Sequence, residues 1–335
     1  MKNLARNRIR EIGLPAPRND DWIYFPTAKV SHIEIPEADG ENEADELAIA
    51  TENNVAALLP LAFAASTRKQ VIAAGSRENG ILKIRDEFAH SIFDIEDSAE
   101  LSLEVFGNHQ ERPFASERID INVGKNAKLN LFMHENDAES ITHLRHFKIK
   151  AEAGSNVRVE ILHTGLGTVR TSFDIDLNGE EANLDFRSLS VLCAKASNHT
   201  LLRLHHNAPN THSNQLARNI LSGTAFASYD GKVDVMQGCT DVKSGQLINT
   251  ILQNEGAKIA TKPTLRIYHD AVECTHGNTC GSLDEDELFY LESRGFSAET
   301  AKLILSRSFA RGTFSGEEAS PFAERVTDEL VKLGL

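Results

Sequence analysis

Gly124-Lys125-Asn126-Ala127-Lys128-Leu129 is the stretch on which the fold turns, because it returns in altered form along the chain. Gly154-Ser155-Asn156-Val157-Arg158-Val159 begins 30 residues later, and Gly179-Glu180-Glu181-Ala182-Asn183-Leu184 begins 25 after that. A looser copy opens at Gly256. Each copy is a turn glycine followed by a strand in which apolar side chains alternate. One such unit cannot bury its apolar face alone, whereas units recurring every 25 to 30 residues can stack and bury it against one another. A β-sandwich would show turns every ~8 to 12 residues, and several intervals here are longer. The spacing favours a stacked β-solenoid between about Gln70 and Asp270.

Outward from the repeat, the period changes on both sides. Residues 1–70 read as a short irregular and helical segment: the turn-like Gly13-Leu14-Pro15-Ala16-Pro17, Trp22, an acidic stretch from Glu37 to Glu46, and an Ala- and Leu-rich helix over about Glu46 to Ser66. Residues 71–282 form the solenoid core. From Leu283 the period returns to 3.6, and residues 283–335 form a helical domain. Asp284 with Glu287 resembles a capping box, and Gly295 closes that helix. Ser297 caps a second helix with Ala301, Ile304, Leu305 and Phe309 on one face. Ser320-Pro321 opens a third, striped by Phe322, Val326, Leu330 and Leu333. Three amphipathic helices after a β body serve as a cap on the solenoid end or as a docking module.

Composition removes several functions. The 335 residues carry 35 Lys and Arg against 49 Asp and Glu, a net charge of −14. An acidic surface repels phosphate backbones and anionic membranes, so neither nucleic acid nor membrane is an expected partner. The longest apolar run, Val55 to Ala65, contains Pro60 and is too short for a bilayer, which needs about 20 residues. Met1 to Gly13 lacks the apolar core of a secretory signal. Cys193, Cys239, Cys274 and Cys280 form no CxxC pair, which fits reduced thiols in a cytoplasmic protein.

The densest chemical constellation is Tyr268-His269-Asp270-Ala271-Val272-Glu273-Cys274-Thr275-His276-Gly277-Asn278-Thr279-Cys280. On an extended strand Cys274 and His276 leave the same face, and a thiolate beside an imidazole suits zinc, copper(I) or iron–sulfur species. Two ligands do not close a tetrahedral site, and Cys-x5-Cys is not a zinc-finger spacing. Three readings stand: a closed zinc site, a turn with a buried Cys and a hydrogen-bonded His, or a half-site that a second subunit completes. Cys193 and Cys239 read as packed thiols. His205, His206 and His212 flank a turn and read as surface imidazoles, while His143 and His146 fall on opposite strand faces and cannot share a metal. Asp174, Asp176 and Asp185 could pair for acid–base work, the feature of a β-helix carbohydrate-active enzyme, the alternative reading. No GxSxG elbow, GxxxxGK[ST] loop or HExxH is present.

Pro263-Thr264-Leu265-Arg266-Ile267-Tyr268, Val272-Glu273-Cys274-Thr275-His276-Gly277-Asn278-Thr279, Leu283-Asp284-Glu285 and Leu288-Phe289-Tyr290-Leu291-Glu292-Ser293-Arg294-Gly295 together resemble the SufB/SufD family of iron–sulfur cluster assembly scaffolds, SufD more than SufB. Gly13-Leu14-Pro15 with Arg18 and Trp22, Ser213-Asn214-Gln215, and Gln246-Leu247-Ile248-Asn249 extend the likeness. The resemblance implies a right-handed parallel β-helix core with a C-terminal helical domain, acting as a scaffold rather than an enzyme. It implies a SufC-type ABC ATPase docked on the C-terminal helices, and a SufB-like subunit or a second copy of this chain paired through the β-helix. It further implies that His276, with Cys274 beside it, receives a transient iron or nascent Fe–S cluster, with no cofactor held tightly. Gly256 to Pro263, where SufB carries a cysteine, has no thiol, which fits a supporting, SufD-like subunit.

Overall fold

The structure is a computed structural model that describes residues 1–16, 19–36, 49–84, 86–107, 113–314 and 320–332. The acidic Glu37 to Glu46 stretch lies outside these residues. The strands are β1 (Thr67–Ile72), β2 (Arg77–Ile84), β3 (Phe88–Ile95), β4 (Glu100–Gly107), β5 (Phe114–Val123), β6 (Lys128–Glu135), β7 (Thr142–Ala151) and β8 (Asn156–His163). They continue as β9 (Thr168–Leu177), β10 (Asn183–Leu192), β11 (Ser197–His206), β12 (His212–Leu221), β13 (Phe226–Val235), β14 (Val242–Leu252), β15 (Lys258–Ile267) and β16 (Val272–Gly281). Odd-numbered strands build one eight-stranded sheet in chain order, and even-numbered strands build the other. Every pair is parallel, as in Leu129 beside Val157 beside Leu184. A chain that alternates between two sheets and always adds to the same end is a parallel β-helix, each rung giving one strand to each sheet.

The corners explain why the sequence repeat is real but degenerate. At one corner of successive rungs a single residue takes the left-handed conformation: Ser98, Asn126, Gly154, Glu181, Asn210 and Asp241. At Ser98, Asn126, Gly154, Asn210 and Asp241 its backbone N–H donates to the next rung, as from Asn126 to Ala153 and from Asn210 to Thr240. Gly, Asn and Asp occupy such φ values most cheaply, so several residue types serve. Gly179 is fixed for another reason. A Cβ there would stand 1.9 Å from the Ala153 backbone nitrogen.

Inward positions alternate with outward ones, as the period of two requires. Leu129, Leu131 and Met133 of β6 and Ile119, Ile121 and Val123 of β5 are fully buried in the lumen. Phe147 stacks on Phe173 at 4.8 Å with the rings nearly parallel, and Phe186 meets Phe173 edge-on at 5.1 Å.

Both outer faces are partly covered. Helices α1 (Lys2–Ile12) and α2 (Val55–Phe63) pack with Trp22 and Phe25 against Phe114 and Leu144 on the odd-numbered sheet. Helix α2 is shorter than the expected Glu46 to Ser66 helix. Asn54 caps its first turn by accepting from the Ala56 N–H, and the chain is already extended again at Thr67. Arg170 lies 4.0 Å over the Trp22 ring, and Arg203 reaches Asp21 at 2.7 Å.

The C-terminal helices are α3 (Glu285–Ser293), α4 (Ala298–Arg311) and α5 (Phe322–Lys332). Their caps follow the sequence reading: Asp284 accepts from Asp286 and Glu287 N–H, Ser297 from Thr300 and Ser320 from Phe322. Phe322, Val326 and Leu330 of α5 bury against Leu162, Leu189, Val191 and Ile220 on the outside of the even-numbered sheet. That helix is therefore a flank, not a lid on the solenoid end. Helix α3 buries none of its residues, and Phe289 is 72% exposed.

Candidate functional site

Strand β16 is the last of the even-numbered sheet, and its register on β14 places its chemistry. Cys274 stands beside Ser244, His276 beside Gln246, and Cys280 beside Thr250. Ser244, Gln246 and Thr250 are buried lumen residues. Cys274, His276, Asn278 and Cys280 thus continue the inward stripe of the solenoid into a rung that no further strand covers among the described residues. Strand β15 ends the other sheet in the same way. Asn278 donates across this rung to Thr261 at 2.6 Å, which ties the two end strands together.

Burial grades along the stripe. Cys274 is half-buried against the lumen core, whereas His276 and Cys280 are exposed. Desolvation pushes the Cys274 thiol up, opposed by a hydrogen bond with the Ser244 backbone. The isolated chain therefore keeps Cys274 protonated, and only a metal or a neighbouring positive charge would make it a thiolate. Cys280 lies six residues beyond Cys274, about 20 Å along an extended strand, too far for one ion to hold both. Glu273 and Thr275 leave the opposite face into an outer groove with Asn214 and Lys243. Glu273 pairs there with Lys243 at 3.4 Å and faces away from His276.

Behind the end rung the lumen is polar. Gln246 donates to Gln215 at 3.2 Å, Gln215 to Ser213 at 3.0 Å, and Ser213 to Ser244 at 2.9 Å. His206 joins this ladder, 3.0 Å from Ser213 and 2.7 Å from Thr211. It is fully buried, which corrects its reading as a surface imidazole; burial lowers its pKa to about 4. His212 is exposed as expected. Cys239 is buried and donates to the His206 carbonyl, while Cys193 is only half-buried. Asp174 and Asp176 do meet on the outside of the odd-numbered sheet, where both pair with Lys148 at 2.8 Å.

A second constellation escaped the sequence reading. Glu117 of β5, Glu135 at the end of β6, Asp137 in the following turn, and His143 and Arg145 of β7 are all buried inside the solenoid. His143 is on the opposite face from His146, as its position dictates, but its partners come from neighbouring strands. Its Nδ1 lies 2.8 Å from Asp137 Oδ2 and 3.5 Å from Glu135 Oε2, and its Nε2 lies 3.3 Å from Glu117 Oε1. Arg145 donates to Glu117 at 2.6 Å and pairs with Glu135. Desolvation alone would lower the His143 pKa, but the charge of Glu117 and the Asp137 hydrogen bond lift it to about 10.

Two parallel sheets closed into a helix, with a Cys and His stripe on the last rung, define a parallel β-helical protein. Residues 78–309 match the family of the SUF system FeS cluster assembly SufBD core domain. The chain is 30% identical over 199 residues to the iron–sulfur cluster assembly protein SufD of Escherichia coli, covering 59% of this chain and 47% of that protein. It is 29% identical over 204 residues to an iron–sulfur cluster assembly SufBD family protein of Synechocystis, covering 60% and 45%. A chloroplastic protein of Arabidopsis thaliana is 28% identical over 222 residues, covering 64% of this chain and 46% of its own. The chain belongs to the SufBD family of iron–sulfur cluster assembly proteins. The match spans about half the length of these curated relatives. No described helix is long and apolar enough to cross a membrane.

Proposed function

We propose that this chain is a SufD-like scaffold subunit, and that its open end rung is where a second β-helix docks and a nascent iron–sulfur cluster is received. The observation that carries the reading is the exposure of β15 and β16, two ten-residue edge strands whose inward stripe is uncovered. Long open edges are templates for pairing with another chain. A facing end rung, from a SufB-like subunit or a second copy, would bury Cys274 and His276 together and surround them with further ligands. His276 then offers an imidazole to iron and Cys274 a thiol, which sulfide- or thiolate-rich ligation suits. Cluster and iron are cargo in this role, passed on rather than retained, and the chain itself catalyses no reaction.

Helix α3 and the groove between it and α4, lined by Tyr290, Leu291, Ile304 and Leu305, support the residues 283–335 as the docking module for a SufC-type ATPase. Exposed aromatics on a helix that meets its neighbour α4 and buries none of its residues offer an interaction surface. Residues 1–70 and 71–282 then serve as a flank and as the scaffold core, in a cytoplasmic complex. The test is His276→Ala in a reconstituted complex. It is expected to leave folding and ATPase binding intact and abolish cluster build-up; unimpaired build-up would remove the site assignment.

A further inference from the structure

We infer that the corner of the solenoid at Glu135, Asp137 and His143 is a site for a divalent first-row transition ion, with iron(II) and zinc(II) the ions its donors suit. The ligand atoms of these three side chains lie within 4.8 Å of one another, and all three residues are buried. His143 Nδ1 is 2.8 Å from Asp137 Oδ2 and 3.5 Å from Glu135 Oε2. Ligand atoms on a tetrahedral ion with bonds of about 2.0–2.1 Å stand roughly 3.3 Å apart, a value these two distances bracket. Carboxylate and imidazole together are the donor set of zinc and non-haem iron.

A separate observation points to the same place. His163, 2% exposed, has both ring nitrogens without a hydrogen-bond partner among the described residues. It is the register neighbour of Glu135 on the next rung and shares its inward face. A buried imidazole that satisfies neither nitrogen forfeits its hydration, so it gains from a polar guest at this corner. Its ring nitrogens are not among the clustered donor atoms, so it borders the ion from the next rung.

The surroundings are those of a metal site. Glu117 lies 3.3 Å from His143 Nε2, on the far side of the ring from Asp137. A carboxylate there fixes the tautomer that turns Nδ1 to the ion. Asp137 is held by its backbone, whose carbonyl accepts from Leu166 at 2.8 Å and Gly167 at 3.1 Å. Gly165 permits that contact, since a Cβ on it would stand 2.4 Å from the Asp137 nitrogen. The charges agree as well. Three acidic side chains, Glu117, Glu135 and Asp137, stand against one guanidinium, Arg145, a difference that a divalent ion offsets. In a dry interior that difference is costly. The Thr164 to Gly167 turn overlies the corner, so the ion enters as the chain folds and leaves slowly.

The inference is independent of the role proposed for the end rung, and its test keeps the two apart. The full chain carrying Cys274→Ser, His276→Ala and Cys280→Ser is refolded anaerobically with iron(II) or zinc(II), desalted, and analysed for metal. The site should retain about one equivalent, resist chelator in the folded state, and show oxygen and nitrogen ligation with imidazole scattering by X-ray absorption. Adding Asp137→Asn or His163→Gln should lower retention at least about tenfold, the lower bound for even an outer partner, with unchanged circular dichroism. A folded parent chain retaining no metal, sulfur ligation, or retention unaffected by both substitutions would overturn it. Should the substitutions prevent folding, retention and ligation in the parent chain decide alone.

Discussion

The middle of the solenoid and its last rung are made of the same repeat, yet only one of them is finished. In β5 to β12 each inward residue has a rung above and below it, and Phe147, Phe173 and Phe186 close-pack in the lumen. In β15 and β16 the same inward positions hold Leu265, Cys274, His276 and Cys280, with a neighbour on one side only. The contrast extends to chemistry. Enclosed His143 is held by three carboxylates, whereas His276 is exposed. A rung at an open end keeps its side chains available, and a rung in the middle can only use what it encloses. Position in the stack, more than residue type, separates a candidate docking site from a candidate resident ion.

Truncations measure the contrast most strongly. Phe173→Ala empties a lumen position packed on both sides and should cost about 3–5 kcal/mol in denaturant unfolding; Leu265→Ala, half-buried in the last rung, should cost about 1 kcal/mol. Equal losses would mean that the end rung is as closed as the middle. Glycine corners give the next largest effect. Gly179→Ala drives a Cβ into the Ala153 backbone and should cost about 1–3 kcal/mol or more. Gly281→Ala meets nothing within 4 Å and should stay within about 0.5 kcal/mol.

Acid should act on the enclosed region. Burial depresses His146 and His199 to about 3 and His206 to about 4. For His146, nearby Arg118 and Lys148 add to the depression, while Asp174 and Asp120 oppose it. Each ring stays neutral when folded but takes a proton near pH 6.5 when unfolded. Their stabilisation is thus complete above pH 6.5 and lost as the pH falls toward 3, by about 2 kcal/mol each at pH 5. Melting curves should show the fall, and His206→Gln should reduce it; a melting temperature flat from pH 7 to 5 would contradict these environments. The smallest effect belongs to the outer face of the end rung. Glu273→Gln breaks only an exposed pair with Lys243, so stability should change by less than about 0.5 kcal/mol and cluster build-up should not change.

Much of this was legible in the chain. The recurrence of Gly124, Gly154 and Gly179 gives the solenoid because left-handed corners and close backbone approaches recur once per rung. The family motif from Pro263 to Gly295 locates the end strands and helix α3. The pair Cys274 and His276 was visible because two residues apart on a strand share a face. The buried corner was not. Glu117, Glu135, His143 and His163 come from four strands, and their meeting depends on cross-rung register that no local pattern reveals. His206 was misread for a related reason: the turn beside it is exposed, but strand alternation turns its ring inward. Helix α5 carries a clear apolar stripe, which says that it packs but not on which face of the solenoid.

Amide hydrogen exchange across residues 258–281, measured in the isolated chain and in its assembled complex, tests the docking edge most directly. The open end rung should exchange readily alone and become protected on assembly, with β5 to β12 slow in both states. A complex that forms while β15 and β16 exchange as freely as before would contradict the assignment of this rung as the interface.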